Sequence, residues 1–214
     1  MLDYQDQLAC IVWFSGCSMS CSYCYNPLIV TGRGTKSTDY LFDFLKKRKG
    51  LLDGVVLSGG ECTLFAGIVD LCRQIKDMGF LIKIDTNGTK PDVIKRLLDL
   101  QLIDYIALDY KAPQPKFDDV TGTNKFTAFS KTLNILLEQD RVKFEVRTTV
   151  HSALLNESDI NSIITDLSSR KYDGTYYLQK SIIGAETLKP LKESDTWLDL
   201  EQLSDALPLE IRKQ

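Results

Sequence analysis

Three cysteines, Cys17, Cys21 and Cys24, are spaced C-x3-C-x2-C between Gly16 and Asn26-Pro27. Cysteine thiolates ligate metals, and a structural zinc ion closes its tetrahedron with four protein donors. No fourth cysteine or histidine follows nearby; the next cysteine is Cys62 and the single histidine is His151. A cubane iron–sulfur cluster has four irons, so three thiolates leave one iron open to another molecule. The spacing therefore points to a cluster whose open iron is the working part. A zinc knuckle that borrows a distant ligand such as His151, and a redox pair at Cys21 and Cys24, are the other readings.

Five further places in the chain carry polar side chains that could serve a ligand. In Ser58-Gly59-Gly60-Glu61 two glycines let the backbone approach a ligand closely, and the Glu61 carboxylate can meet a positively charged amino group. Asp85-Thr86-Asn87-Gly88 and Asp109-Tyr110-Lys111 add two carboxylates and a cation, Lys111 being a counter-charge for a ligand carboxylate. Arg147 and Gln179 are candidates for the same pocket or for a substrate channel. Taken alone, each stretch also reads as a tight turn or a helix cap with a surface ion pair.

The elements around these stretches explain why they belong together. Residues 8–14 read as a buried strand that turns at Ser15-Gly16 into a cysteine loop reaching about Thr35. Ser37 or Thr38 can cap the helix carrying Leu41, Phe42 and Leu45. Strands are then predicted at 55–57, 80–84, 103–108, 142–150 and 175–178. Helices are predicted after 61, from Pro91, over 126–138 and from Asn156 or Ser158 to about 170, with a long loop over 113–122. Strands that are near-continuous apolar runs, alternating with helices, argue a parallel sheet covered by helices: an α/β fold, a partial (β/α)6 barrel. The polar stretches all fall just after strand ends, which lie on one face in such folds, so one site collects them. The repeating unit covers residues 1–190, and 191–214 form a tail with a short helix near 197–206.

With 214 residues and 43% hydrophobic content the chain suffices for one sizeable core. A net charge of -3 gives no basic footprint for nucleic acid, and Lys46-Lys47-Arg48-Lys49 reads as the solvated end of a helix. No apolar run reaches the ~20 residues of a membrane helix, and no signal pattern opens the chain, so a cytoplasmic protein is expected. Six cysteines are too few for a disulfide scaffold. Cys10 and Cys72 read as small core residues, Cys62 as a thiol near the site, and His151 as a loop residue.

The motif Cys17-x3-Cys21-x-Tyr23-Cys24, with its aromatic residue before the last cysteine, resembles the signature of radical S-adenosylmethionine (SAM) enzymes. Gly16 and Tyr25-Asn26-Pro27 resemble the glycyl-radical-enzyme activases. The pieces LDYQDQLA, FSGC, CSYCYNP, LSGGE, DTNGT, DYIALDYKAP, RTTV and YYLQ, running from about Leu2 to Pro190, are most similar to activating proteins of anaerobic ribonucleoside-triphosphate reductase. The resemblance implies a 4Fe-4S cluster on the three cysteines and SAM contacts from Tyr23, Tyr25, Gly59, Gly60, Glu61, Asp85, Thr86, Asp109, Lys111, Arg147 and Gln179. It implies a monovalent cation beside Asp85, Thr86 and Asp109, a large glycyl radical enzyme as partner, and a reductant such as flavodoxin or ferredoxin. Where the family commonly has proline after Glu61, this chain has Cys62. No cysteine lies between Cys24 and Ser58 or after Gln179, which argues against extra clusters. A small-molecule radical SAM enzyme, such as a 7-carboxy-7-deazaguanine synthase-like one, an activase of another glycyl radical enzyme, and a non-catalytic metal-binding module are the alternatives.

Overall fold

A computed structural model of the chain describes residues 3–182, 184, 186–192 and 196–212. Leu2, where the resemblance begins, and residues 193–195 and 213–214 of the tail lie outside them. Seven strands, β1 (Ala9–Phe14), β2 (Gly54–Gly59), β3 (Leu81–Thr86), β4 (Tyr105–Asp109), β5 (Lys143–Val150), β6 (Tyr176–Lys180) and β7 (Leu209–Arg212), pair in chain order. Every pairing is parallel. The helices are α1 (Pro27–Thr31), α2 (Thr38–Lys46), α3 (Ile68–Asp77), α4 (Pro91–Asp99), α5 (Phe117–Thr121), α6 (Phe126–Leu137) and α7 (Glu157–Ser169).

Local chemistry sets the helix starts. The Ser37 hydroxyl accepts from the Tyr40 N–H to cap α2, Pro91 occupies the first turn of α4, and Asn156 with Asp159 forms a reciprocal capping box on α7. Burial then fixes the layers. Val55 and Leu57, Ile82 and Ile84, and Ile106 and Leu108 are fully buried together with Ile75, Ile94, Leu97 and Leu133 from the helices. Each such side chain contributes about 1.5–3 kcal/mol on leaving water.

The other sheet face differs from the expected apolar runs. Successive strand residues point to opposite faces, and the alternate positions Lys83, Asp85, Asp109, Arg147, Gln179 and Arg212 line one cavity with Ile11 and Trp13. Residues of the first strand and of the last thus face the same space, so the sheet curls into a partial βα barrel with a charged interior. The helices cover its outside.

Five short elements depart from the sequence expectation. The cysteine loop contains α1, and the predicted 113–122 loop holds a 3-10 turn at Gln114–Lys116 followed by α5. In the tail the short helix is a single 3-10 turn, Leu200–Gln202, and β7 makes a seventh strand where six were expected. Among the described residues no helix is long and apolar enough to cross a membrane.

Candidate functional site

The cysteine loop is held on three sides. Where it leaves β1, Gly16 has φ +89°, and its carbonyl accepts from the Glu61 N–H at 2.9 Å while the Phe14 carbonyl accepts from the Gly60 N–H at 2.8 Å. A Cβ on Gly60 would collide with the Gly16 carbonyl, and one on Gly59 with the Phe14 backbone. The double glycine therefore lets the end of β2 cross the start of the loop at backbone contact. On the second side, Ser20 N–H donates to the Thr121 carbonyl at 2.8 Å and Ser22 N–H to that of Val120 at 3.2 Å, so α5 buttresses the loop. On the third, Leu188 N–H donates to the Cys24 carbonyl at 2.8 Å.

So held, Cys17, Cys21 and Cys24 line one cavity of about 430 Å³. Burial pushes the Cys17 thiol up, and the Cys21 thiol to about 11. All six cysteines are free thiols. Among the described residues no three His, Cys, Asp or Glu side chains converge on a site for a single metal ion. His151 does not line the cavity; it is 5% exposed, and its Nδ1 accepts from the Ala153 N–H. The structure thus does not bring it to the cysteines. Cys10 and Cys72 are also away from the cavity, and Cys62 is fully buried with its thiol directed at the Asp85 carbonyl, 3.6 Å away.

Opposite the thiols runs a chain of charges. Arg147 Nε donates to Asp109 Oδ1 at 2.6 Å while its Nη2 lies 3.3 Å from Asp85 Oδ2. Lys111 Nζ donates to Asp109 Oδ2 at 3.0 Å, and Ser58 Oγ to Asp85 Oδ2 at 3.1 Å. Lys83 Nζ lies 3.1 Å from Asp85 Oδ1, an ionic contact without hydrogen-bond alignment. The side chains of Asp85, Asp109, Lys111 and Arg147 are each less than a fifth exposed, so water screens them weakly. Burial opposes the charge on Asp109, but Arg147 and Lys111 overcome it and hold the carboxyl at about 2. Burial likewise opposes the charges on Lys111 and Arg147, and Asp109 raises both well above their ordinary values. Three cations facing two carboxylates leave one positive charge, suited to an anionic group.

Of the residues singled out from the sequence, Tyr23, Tyr25, Gly59, Gly60, Asp85, Thr86, Asp109, Lys111, Arg147 and Gln179 line this cavity with the cysteines. Tyr23 lies beneath Lys111, whose Nζ is 5.8 Å from its ring centre, and its buried hydroxyl has no hydrogen-bond partner among the described residues. Glu61 is the exception. Its carboxylate is 2% exposed and accepts from Thr63 N–H and Oγ1–H, Thr86 Oγ1–H and Asn87 N–H at 2.6–3.0 Å. It ties the turn after β2 to the turn after β3 and does not present an oxygen to the cavity.

Lys83, Asn87, Trp13 and Arg212 also line the cavity and escaped the sequence reading. The alternation Lys83-x-Asp85 was the available signal for the first, since a period of two puts both on one face. For Arg212 there was no local signal: its guanidinium forms a two-pronged pair with Glu145 of β5, at 2.6 and 2.8 Å.

The sequence profile of the Radical SAM superfamily matches residues 11–165, more than half of the chain. A protein of Methanocaldococcus jannaschii, provisionally named a glycyl-radical enzyme activating enzyme, is 33% identical over 171 residues, covering 76% of this chain and 69% of that protein. The pyruvate formate-lyase-activating enzyme of Clostridium pasteurianum is 33% identical over 162 residues, covering 70% and 64%. Among solved structures, Streptococcus suis SuiB bound to S-adenosylmethionine superposes with a TM-score of 0.72 at 15% identity, over 96% of this chain and 50% of that one. The anSMEcpe structure with bound AdoMet gives 0.64 at 19% identity, over 82% and 52%. At those identities the likeness concerns the fold alone, and the chain spans about half the length of either structure.

Proposed function

This chain belongs to the radical SAM superfamily, and from that premise we propose that it is a glycyl-radical-enzyme activase whose cluster sits on Cys17, Cys21 and Cys24. The observation that carries the reading is the meeting of three thiols, a close-packed glycine pair and a charged network of net positive sign in one cavity. The donor set fits the group: three cysteines line the cavity, His151 does not join them, and the cavity carboxylates Asp85 and Asp109 are engaged with cations. Cys17, Cys21 and Cys24 would hold a 4Fe-4S cluster that, when bound and reduced, would supply the single electron needed to cleave SAM to methionine and a 5′-deoxyadenosyl radical able to take a hydrogen atom from a partner's glycine.

The residues of this chain bind and orient. The exposed backbone of Gly59 and Gly60 receives the methionyl amino group, which Glu61, turned inward, cannot reach. Lys111 and Arg147 receive the methionyl carboxylate, and Asp109, Asp85 and Lys83 hold those two cations in place, so the contacts are formed before the ligand arrives. Tyr23, Tyr25, Thr86 and Gln179 complete the wall. A monovalent cation has no vacancy in this arrangement, because Lys83, Arg147 and Lys111 already outnumber the carboxylates of Asp85 and Asp109, and the Thr86 hydroxyl is turned to Glu61.

The partner is a large glycyl radical enzyme, anaerobic ribonucleoside-triphosphate reductase in our reading, with flavodoxin or ferredoxin as reductant in a reducing cytoplasm. Support comes from the mouth of the cavity. Ile29 and Val30 of α1, which buries none of its residues, line the cavity, and so does Trp13, which is 51% exposed. Apolar surface left open around a site marks a place where a macromolecule docks. The test is anaerobic reconstitution, dithionite reduction and incubation with SAM and candidate reductase. Formation of 5′-deoxyadenosine and a glycyl doublet in electron paramagnetic resonance, lost when the partner glycine is alanine, is the expected result. Cleavage of SAM without the doublet would favour the small-molecule reading, and iron binding without cleavage would exclude both.

A further inference from the structure

Beneath the cysteine loop lies a buried polar cluster that none of the roles above uses. Asn87, 4% exposed, directs Nδ2 at the Cys17 sulfur at 3.7 Å and at Ser18 Oγ at 3.1 Å. The orientation of its amide is not arbitrary. The Thr89 backbone N–H, which can only donate, meets Oδ1 at 3.1 Å, and Thr89 Oγ1 meets the same oxygen at 2.8 Å. The oxygen is therefore on the Thr89 side and the NH2 group on the sulfur side. Asn87 is itself pinned by its backbone N–H, which donates to the buried Glu61 carboxylate at 2.8 Å. The Cys17 sulfur receives a second donor, the Met19 N–H, at 3.4 Å.

We infer that Asn87 is a positioning residue that donates its side-chain N–H to the Cys17 sulfur and thereby makes a cluster ligated there easier to reduce. The inference rests on the cluster reading above. A ligated cysteine has lost its proton, so its sulfur only accepts. A donor aimed at it stabilises the more negative, reduced cluster more than the oxidised one, which raises the reduction potential. Reduction is the step that an electron donor must accomplish before SAM is cleaved. Glu61 and Thr89 thereby acquire a purpose that the cavity does not assign them: they fix the amide that faces the sulfur.

The experiment is a redox titration of reconstituted protein followed by electron paramagnetic resonance. Asn87→Ala removes the donor and is expected to lower the reduction equilibrium constant about tenfold, about 59 mV for one electron. Asn87→Asp keeps an oxygen for the Thr89 N–H but turns an anion toward the sulfur, and its potential falls further. Thr89→Val disturbs the same buried cluster but leaves the backbone N–H at position 89 to hold Asn87, so its reduction equilibrium constant stays within about threefold of wild type. An Asn87→Ala potential equal to that of wild type, or a Thr89→Val shift as large as that of Asn87→Ala, overturns the inference. Should neither Asn87 variant take up iron, side-chain 15N-asparagine in the wild-type protein decides: a 15N hyperfine coupling to the reduced cluster supports the contact, and its absence overturns it. A wild-type protein that assembles no cluster overturns the underlying reading as well, whereas normal cluster signals with unshifted variants overturn this inference alone.

Discussion

At the scale of single residues, position separates the six cysteines into two sets. Cys17, Cys21 and Cys24 line the cavity, while Cys72 is fully buried in the core and Cys10 packs at its margin. Alanine at any of the first three is expected to abolish the visible iron–sulfur absorption of the reconstituted protein. Alanine at Cys72 should leave that absorption intact and cost about 1 kcal/mol of stability through lost packing; loss of the cluster in this variant would show that the division is wrong. Asp109 gives a second residue-scale prediction, in which the sign can be worked out. Its folded pKa, about 2, lies below the ordinary 3.8, so the stability it contributes is fully present above pH 4 and is lost as pH falls toward 2. The difference is worth about 2 kcal/mol. Urea midpoints measured between pH 5 and 2.5 should fall less steeply for Asp109→Asn than for wild type.

At the scale of elements, the cysteine loop is shaped by what touches its two ends. Gly60 is where β2 crosses the loop, with its N–H on the Phe14 carbonyl and no room for a Cβ beside the Gly16 carbonyl. Gly60→Ala must push these strands apart. It is expected to destabilise the protein by about 2–3 kcal/mol and to reduce iron uptake more than Gly79→Ala. Gly79, although it has φ +91°, has nothing within reach of an added Cβ, so equal iron uptake by the two variants would argue against the crossing as the cause. This crossing was partly legible: the Gly59-Gly60 pair signalled close backbone approach, but a ligand, not the Gly16 carbonyl, was the expected neighbour. The strands and capped helices could be read because their signals are local, as with the Ser37 cap and Pro91 of α4. The element α5 escaped because it is five residues long and follows two prolines, and β7 because a four-residue strand is specified by its neighbour β6 rather than by its own pattern. The charged face of the barrel was hidden by apolar neighbours, as with Lys83 between Ile82 and Ile84, and which carboxylate each cation meets depends on register between strands distant in sequence.

At the scale of the whole molecule, the curled sheet has two edges, and β7 supplies one of them. Among the described residues, Arg212 alone ties this strand into the barrel interior by charge: it grips Glu145 with both nitrogens, while the Tyr105 hydroxyl donates to the same carboxylate at 2.9 Å. The Glu145 side chain is 4% exposed, so its charge depends on Arg212. Removing one partner of a buried pair leaves an uncompensated charge, which costs about 3–5 kcal/mol. Arg212→Met is accordingly expected to lower Tm by roughly 6–20 °C at pH 7, at about 2–4 °C per kcal/mol for a chain of this size. One further measurement separates this cause from simple loss of edge packing. Adding Glu145→Gln to Arg212→Met removes the stranded charge and should recover at least half of the lost stability at pH 7. A deficit that Glu145→Gln does not relieve would mean that β7 is held by its backbone ladder and apolar contacts, with the ion pair contributing little.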